Sequence, residues 1–106
     1  MPGEMRGKVF MKIHRTQGET MIAICDQRLL GKTFRQGKLK MTVNKRFYGG
    51  RLVDVDDCDP YLEEATIANL VGEHSVAKGV KLGLIDDSNV IKVGGIPHAQ
   101  MIRVFL

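Results

Sequence analysis

The sequence predicts an α+β domain with a mainly antiparallel sheet and two consecutive helices, at about 60–72 and 76–82, packed on one face. Three observations lead to this fold class. Runs of alternating apolar and polar residues, typical of strands with one buried face, fill the first half of the chain and its end. The two stretches with helical spacing of apolar residues stand together between those runs. The regular alternation of strand and helix that produces a parallel sheet is missing.

Length and composition describe one ordinary folded domain. The 106 residues suit a single α+β domain spanning 1–106, and the hydrophobic share of 43% argues against disorder. No apolar run is long enough to cross a membrane, and no apolar stretch of signal-peptide length follows the charged N-terminus. We therefore expect a cytoplasmic protein with no membrane partner.

The first strand is predicted over 8–14 and the second over 20–25, joined by a polar loop at 15–19. Period-two alternation gives the first strand one buried face, whereas the second is apolar enough to be covered on both faces. Asp26 fits the N-cap of a short helical turn, and a third strand follows over 38–43. The side chains expected to face the core on the first and third strands are Val9, Met11, Ile13, Leu39, Met41 and Val43.

The remaining strands flank the helices. A loop at 44–50 leads into a short strand at 51–53 before them. Strands at 89–93 and 98–106 follow the helices, and the Gly-Gly-Ile-Pro sequence at 94–97 separates the two.

The first helix has the clearest start signal in the chain, with Asp59 at the N-cap and Pro60 at the first helical position. Its predicted stripe consists of Leu62, Ala65, Thr66, Asn69 and Leu70. Ser75 fits the N-cap of the second helix. Lys78 is expected to face solvent, so Lys78→Ala should change stability by no more than about half a kcal/mol.

Charge is distributed unevenly along the chain. Residues 1–53 contain twelve Lys or Arg and three Asp or Glu, a balance of +9, whereas residues 54–106 contain four and nine, a balance of −5. Such asymmetry is typical of proteins that bind polyanions, although the acidic half could also fold against the basic half and neutralise it. Between Gln27 and Arg51 there is no acid, and the basic residues are Arg28, Lys32, Arg35, Lys38, Lys40, Lys45, Arg46 and Arg51.

The predicted RNA contacts combine cations with rings. If the first and third strands share a sheet, their outward lysines and Phe10 lie on one face, where cations neutralise phosphates and the ring stacks on a base. Lysine-rich strand faces also prevent edge aggregation, and Phe10 could equally lie beneath a helix. The nucleic-acid-binding residues that we predict are Lys8, Lys12, His14, Arg35, Lys38, Lys40, Lys45, Arg46 and Tyr48.

A second group of polar residues indicates a pocket. His98 and Gln100 enter the last strand directly after the Gly-Gly break, as pocket-lining side chains often do. We expect them near His14 or Tyr48 at one end of the sheet, with Asn69 from the first helix. The alternative is a hairpin loop in which His98 is a structural residue.

Other motifs exclude several chemistries. Gly31-Lys32-Thr33 lacks the earlier glycine of a phosphate-binding loop and has Asp26 in its place. Cys25 and Cys58 are 33 positions apart, too far for a zinc-ligand pair, and are read as reduced thiols. We therefore predict no catalytic residue, no cofactor and no metal site.

Five segments of the chain resemble, in order, an archaeal family of unknown function, domain of unknown function four-hundred-twenty-four. They are residues 14–16, 30–39, 47–50, 64–72 and 94–100. The resemblance covers about residues 8–104 and implies an archaeal cytoplasmic protein. It supplies no activity, cofactor or catalytic residue.

Three functions fit these features, and we favour the first. It is a small RNA- or polyanion-binding module, ribonucleoprotein- or translation-associated, that uses the basic N-terminal half. The second is a small enzyme with a His/Tyr/Gln pocket, in which Arg35 or Arg46 holds an anionic substrate. The third is a protein-interaction subunit or homodimer that pairs through the edge of its C-terminal strand.

Overall fold

Eight strands and three α-helices form the part of the chain, residues 7–104, that the computed structural model describes. The strands are β1 (Lys8–Thr16), β2 (Glu19–Asp26), β3 (Thr33–Gln36), β4 (Leu39–Thr42), β5 (Arg51–Asp54), β6 (Ile67–Val71), β7 (Ile91–Val93) and β8 (Ile96–Ile102). The helices are α1 (Lys45–Tyr48), α2 (Asp59–Glu64) and α3 (Glu73–Lys81). None of these helices is long and apolar enough to cross a lipid bilayer.

Six strands form one sheet in the order β5-β1-β2-β6-β8-β7, and β3 pairs with β4 in a separate two-stranded sheet. All neighbours in the large sheet are antiparallel except β2 and β6, which run parallel. The α+β class is confirmed, but the sheet is mixed. β2 and β6 run parallel because the residues between them bring the chain back to the end of the sheet where β2 began. This parallel pair lies at the centre of the sheet.

The large sheet is buried on one face and partly covered on the other. Its helix face carries α2 and α3 over a core that includes Ile22, Ile24 and Leu70, none more than 1% exposed. The opposite side, the outer face, is partly covered by residues 27–50, which we call the connecting segment. This segment includes β3, β4 and α1 and packs on a second apolar cluster.

The predicted helix over 60–72 is wrong beyond Glu64. α2 ends there, and β6 occupies Ile67–Val71. Leu70 is buried in the core on the helix face, while Val71 is buried in the cluster beneath the connecting segment. Asn69 is the single polar residue of β6, so the run shows no clear alternation and resembles a helical stripe when it follows a true helical turn.

The second helix begins earlier than predicted, at Glu73, and its cap comes from elsewhere in the chain. Asp26 does not cap the 3₁₀ turn that follows it. Its buried carboxylate instead accepts hydrogen bonds from the backbone N–H groups of His74 (3.0 Å) and Ser75 (2.9 Å) and from the Ser75 hydroxyl (2.8 Å). Ser75 is thus a buried partner of the cap and not the cap itself.

Three further predictions need correction. The strand over 38–43 pairs only with β3, so Lys38 and Lys40 do not share a sheet with β1, and Leu39 is 52% exposed. The loop at 44–50 contains α1, whose first turn is capped by the Asn44 side chain at 3.0 Å from the Phe47 nitrogen. The last strand, predicted over 98–106, is β8, which begins two residues earlier and ends at Ile102; residues 105–106 lie outside the described part.

Lys78 is buried rather than solvent-facing. Its side chain is 6% exposed, and its ammonium lies 2.7 Å from Asp56 Oδ1 and 3.0 Å from Asp59 Oδ1. The hydrogen bond from Lys78 lowers the pKa of Asp56. Asp59, predicted as an N-cap, is the first residue of α2 and ties that helix to α3 through this lysine.

We expect Asp26→Ala to lower the free energy of unfolding by about 2–4 kcal/mol, because it leaves the buried N–H and hydroxyl of Ser75 and the part-buried N–H of His74 without partners. Chemical denaturation measures the change. The control is Glu64→Ala, an exposed carboxylate, which should stay within about half a kcal/mol of wild type. Equal stability of the two variants would show that the Asp26 cap contributes nothing.

Lys78→Ala should lower the melting temperature more than Lys81→Ala, since only Lys78 is buried between carboxylates. Because folding lowers the pKa of Asp56, the contribution of this pair is full above the unfolded carboxyl pKa of about 3.9 and is lost as the pH falls through the folded value. Thermal melts at pH 7 and pH 3 should therefore show the difference between the variants shrinking in acid. A difference that grows in acid would contradict this assignment.

Candidate nucleic-acid interface

The connecting segment is fixed to the outer face by an apolar cluster. Tyr48, predicted as an RNA contact, is 7% exposed and packs in this cluster with Ala23, Cys25 and Val71. Burial, with the nearby Cys25, raises the pKa of Tyr48 to about 12. Burial, with the adjacent Asp26, raises the pKa of Cys25 to about 12, so this thiol is not poised as a nucleophile. Tyr48 therefore supports α1 from beneath.

Two polar side chains of β1 bind α1 through its backbone. Lys12 Nζ donates to the Arg46 carbonyl at 2.6 Å, and His14 Nε2 lies 2.8 Å from the Phe47 carbonyl. A carbonyl can only accept, so His14 carries its proton on Nε2. The His14 and Phe47 rings are stacked, with centroids 4.8 Å apart. These residues, together with Asn44, line an open groove of about 680 Å³ between β1 and α1.

Lys8 is also engaged within the protein. Its ammonium lies 3.1 Å from Asp54 Oδ1 on the neighbouring strand β5. Of the nine predicted contacts, the three on β1 therefore hold the protein together locally, while remaining partly exposed.

The cations of the 27–51 stretch lie in a different environment. All eight are exposed, and within residues 7–104 none has a carboxylate partner within 4.0 Å. Arg35 and Lys40 are cross-strand partners on the β3–β4 ribbon, with Lys38 beside the turn that joins the strands. Five of the eight cations are among the predicted RNA contacts: Arg35, Lys38, Lys40, Lys45 and Arg46.

The ribbon is held in place at its far end. The Gly94 N–H donates to Gln36 Oε1 at 2.9 Å, and a side chain at Gly94 would press against the Arg35 backbone. The turn between β7 and β8 is thus a support for the ribbon. This explains the Gly-Gly break better than pocket formation does, because Gly94 has a φ of +59° and close backbone contact.

The residues of the predicted pocket all lie on the outer face of the sheet, but His14 is far from the others. Asn69 and Gln100 are cross-strand partners on the outer face, and His98 is opposite Val71 in the next row. His14 lies three strands away from β8, about 14 Å across the sheet, and four residues further along β1 than the row of His98. A shared site of His98 with His14 is therefore wrong. Tyr48 packs in the cluster that contains Val71, the strand partner of His98.

Sequence reasoning missed three features of this surface. Asn44 could have been recognised as a helix cap three residues before Phe47. The stacking of Phe47 on His14 and the contact of the Asn69 amide with Met21 Sδ, at 3.4 Å, join distant segments and leave no local signal. Among residues 7–104, no group of three or more His, Cys, Asp or Glu side chains is placed to hold a metal ion.

Fold and site together define a class: a small α+β protein whose mixed sheet carries helices on one face and a cation-rich connecting segment on the other. The chain belongs to the family described as protein of unknown function (DUF424), which matches residues 14–104, so the resemblance seen in the sequence is confirmed. It is similar to the crystal structure of an uncharacterized conserved protein from Methanopyrus kandleri. The two share 25% identity and a TM-score of 0.77 over 93% of this chain and 96% of that one. No curated protein matches the chain.

His98 should make the protein less stable in mild acid. Burial lowers its pKa, so the folded state holds the neutral ring while the unfolded chain takes up a proton. This contribution is full above the ordinary histidine pKa of about 6.5 and is lost as the pH falls through the lower folded value. Denaturation between pH 7.5 and 5 should show a smaller acid loss in His98→Gln than in wild type. The exposed His74→Gln is the matched histidine-to-glutamine control.

Proposed function

We propose that the protein is a polyanion-binding module that takes RNA through the connecting segment. The observation that carries the proposal is the set of seven exposed cations on this segment that have no carboxylate partner among the described residues: Arg28, Lys32, Arg35, Lys38, Lys40, Lys45 and Arg46. Like charges held on one short segment repel one another, and a phosphate backbone relieves that repulsion and releases its own counterions. Binding by such a surface is broad in sequence and sensitive to salt.

The positions of the cations add to this support. The β3–β4 ribbon is anchored through Gln36, and α1 is anchored through Lys12 and His14. Anchored cations lose little backbone freedom when a ligand arrives, which lowers the cost of binding. The alternative in which the acidic half neutralises the basic half is disfavoured, because the carboxylates near Lys78 are engaged on the helix face.

The interaction-subunit function keeps one specific observation in its favour. β7 pairs with β8 only at Ile96–His98, so Ala99–Ile102 present an outer edge without a strand partner among the described residues. Near this edge, the side chains of Ile91 and Ile102 are 55% and 65% exposed. An open edge with apolar neighbours is suited to strand addition. The enzyme function keeps part of its constellation, since His98, Gln100 and Asn69 are neighbours on β6 and β8 while His14 lies three strands from β8.

Charge reversal on the ribbon tests the proposal. Lys38→Glu combined with Lys40→Glu should weaken binding of a labelled RNA across sequences and flatten the salt dependence, whose log–log slope is about −0.7 per phosphate contacted on a single strand. Fluorescence anisotropy at several salt concentrations measures both. Lys40→Glu and Lys81→Glu form the matched single pair, because Lys81 is an exposed lysine of α3, which packs on the helix face. Equal losses in that pair, or no binding at low salt, would refute the proposal.

A further inference from the structure

The connecting segment covers one end of the outer face incompletely. It covers the row through Phe10, Cys25 and Val71 and still buries Ala23 in the next row, but the other residues of that row and of the row through His14 and Ile102 are at least partly exposed. These partly exposed residues form a surface that we call the open sheet end. They are Lys12, His14, Met21, Ile67, Asn69, Gln100 and Ile102.

The two faces of the sheet differ sharply here. On the helix face the same strands place Ile22, Ala68 and Met101, which are at most 6% exposed. On the outer face Ile102 is 65% exposed, and Gln100 is exposed as well. A sheet that is buried on one face and open on the other presents a flat surface on which bases can stack.

Two side-chain amides of the open sheet end have hydrogen-bonding groups available to a ligand. Within residues 7–104 the Gln100 side-chain amide has no hydrogen-bond partner, and neither does the Asn69 side-chain carbonyl. The Asn69 amino group is turned to the weak acceptor Met21 Sδ. Two adjacent carboxamides, each with a donor and an acceptor, match the edge of an unpaired base.

Aromatic and cationic groups border this surface. The stacked His14 and Phe47 rings stand at one side of it, and Met21 and Ile67 supply apolar area between the strands. Arg46, exposed on α1, lines the same groove as His14 and Phe47. Rings and apolar side chains take base faces, while a neighbouring arginine takes the phosphate.

We propose that the open sheet end binds unpaired bases of a single-stranded nucleic acid whose phosphates lie on the cations of the connecting segment. This inference rests on the proposed function and specifies its ligand: bases must be free of pairing to reach Asn69 and Gln100. A duplex hides those edges, and a simple polyanion lacks them. Charge complementarity with the adjoining cations favours a nucleic acid over a second copy of this chain as the occupant.

The experiment compares single strands with polyanions that lack free base edges. Dissociation constants are measured at one salt concentration for a single-stranded 12-nucleotide RNA, the DNA of the same sequence, an RNA duplex, and polyphosphate with the charge of the single strand. Single strands should bind roughly fivefold or more tightly than polyphosphate, from stacking of at least one base. The RNA and DNA arms distinguish which sugar the site prefers.

Two variants locate the base contacts. Gln100→Ala and Asn69→Ala should each weaken single-strand binding by roughly fivefold or more and leave polyphosphate binding unchanged. Gln17→Ala, in the exposed turn between β1 and β2, is the matched amide control and should alter neither. Thermal melting checks that each variant folds. If Asn69→Ala does not fold, photo-crosslinking of a 4-thiouridine RNA to wild type replaces it, with attachment expected on the open sheet end.

The outcomes separate the two proposals. If all polyanions bind according to charge and both amide variants match wild type, the inference is overturned while the proposed function stands. If no polyanion binds even at low salt, the proposed function fails and the inference with it. If Gln100→Ala converts a dimer to a monomer in light scattering without affecting RNA, the surface is a contact between copies and the inference is also overturned.

Discussion

The buried carboxylate of Asp26 is the contact on which the arrangement of the chain depends. It lies at the end of β2 and accepts hydrogen bonds from two backbone N–H groups in the first turn of α3, which follows β6. Gly72 makes this approach possible, since its φ is +107° and a Cβ there would lie 2.3 Å from Asp26 Cγ. The junction thereby fixes the helix face, the parallel pairing of β2 with β6, and the point where the connecting segment leaves for the outer face.

Local patterns predicted much of the fold. Alternation located β1, and uninterrupted apolar character identified β2 as a strand covered on both faces. Each pattern reflects which faces of the strand are buried. β6 was mistaken for helix since a short run with a single polar residue, Asn69, shows no clear period. The contact that caps the N-terminus of α3 could not be predicted from the sequence either. Asp26 precedes Ser75 by 49 positions, and only the paired central strands bring them together.

The candidate site was predictable in composition and less so in arrangement. An uninterrupted series of cations with no acid implied exposure, because such a segment cannot neutralise itself. The roles of Lys12 and His14 as anchors for α1 were hidden, since both act on backbone carbonyls that any sequence provides. His98 and His14 looked like partners only while strand order was unknown. The order β1-β2-β6-β8 places two strands between them.

The parallel pairing of β2 with β6 also has a kinetic side. Ile22 is opposite Ala68, 46 residues further along the chain, and the connecting segment lies between them. Closing so long a loop costs conformational entropy before the central contacts repay it, so this step is slow compared with formation of the β1–β2 hairpin. The entropic cost of closing that loop increases only with the logarithm of its length. The connecting segment can therefore gain or lose residues at its exposed turn with little effect on the sheet beneath, which leaves its ligand-binding surface free to diverge while the scaffold is retained.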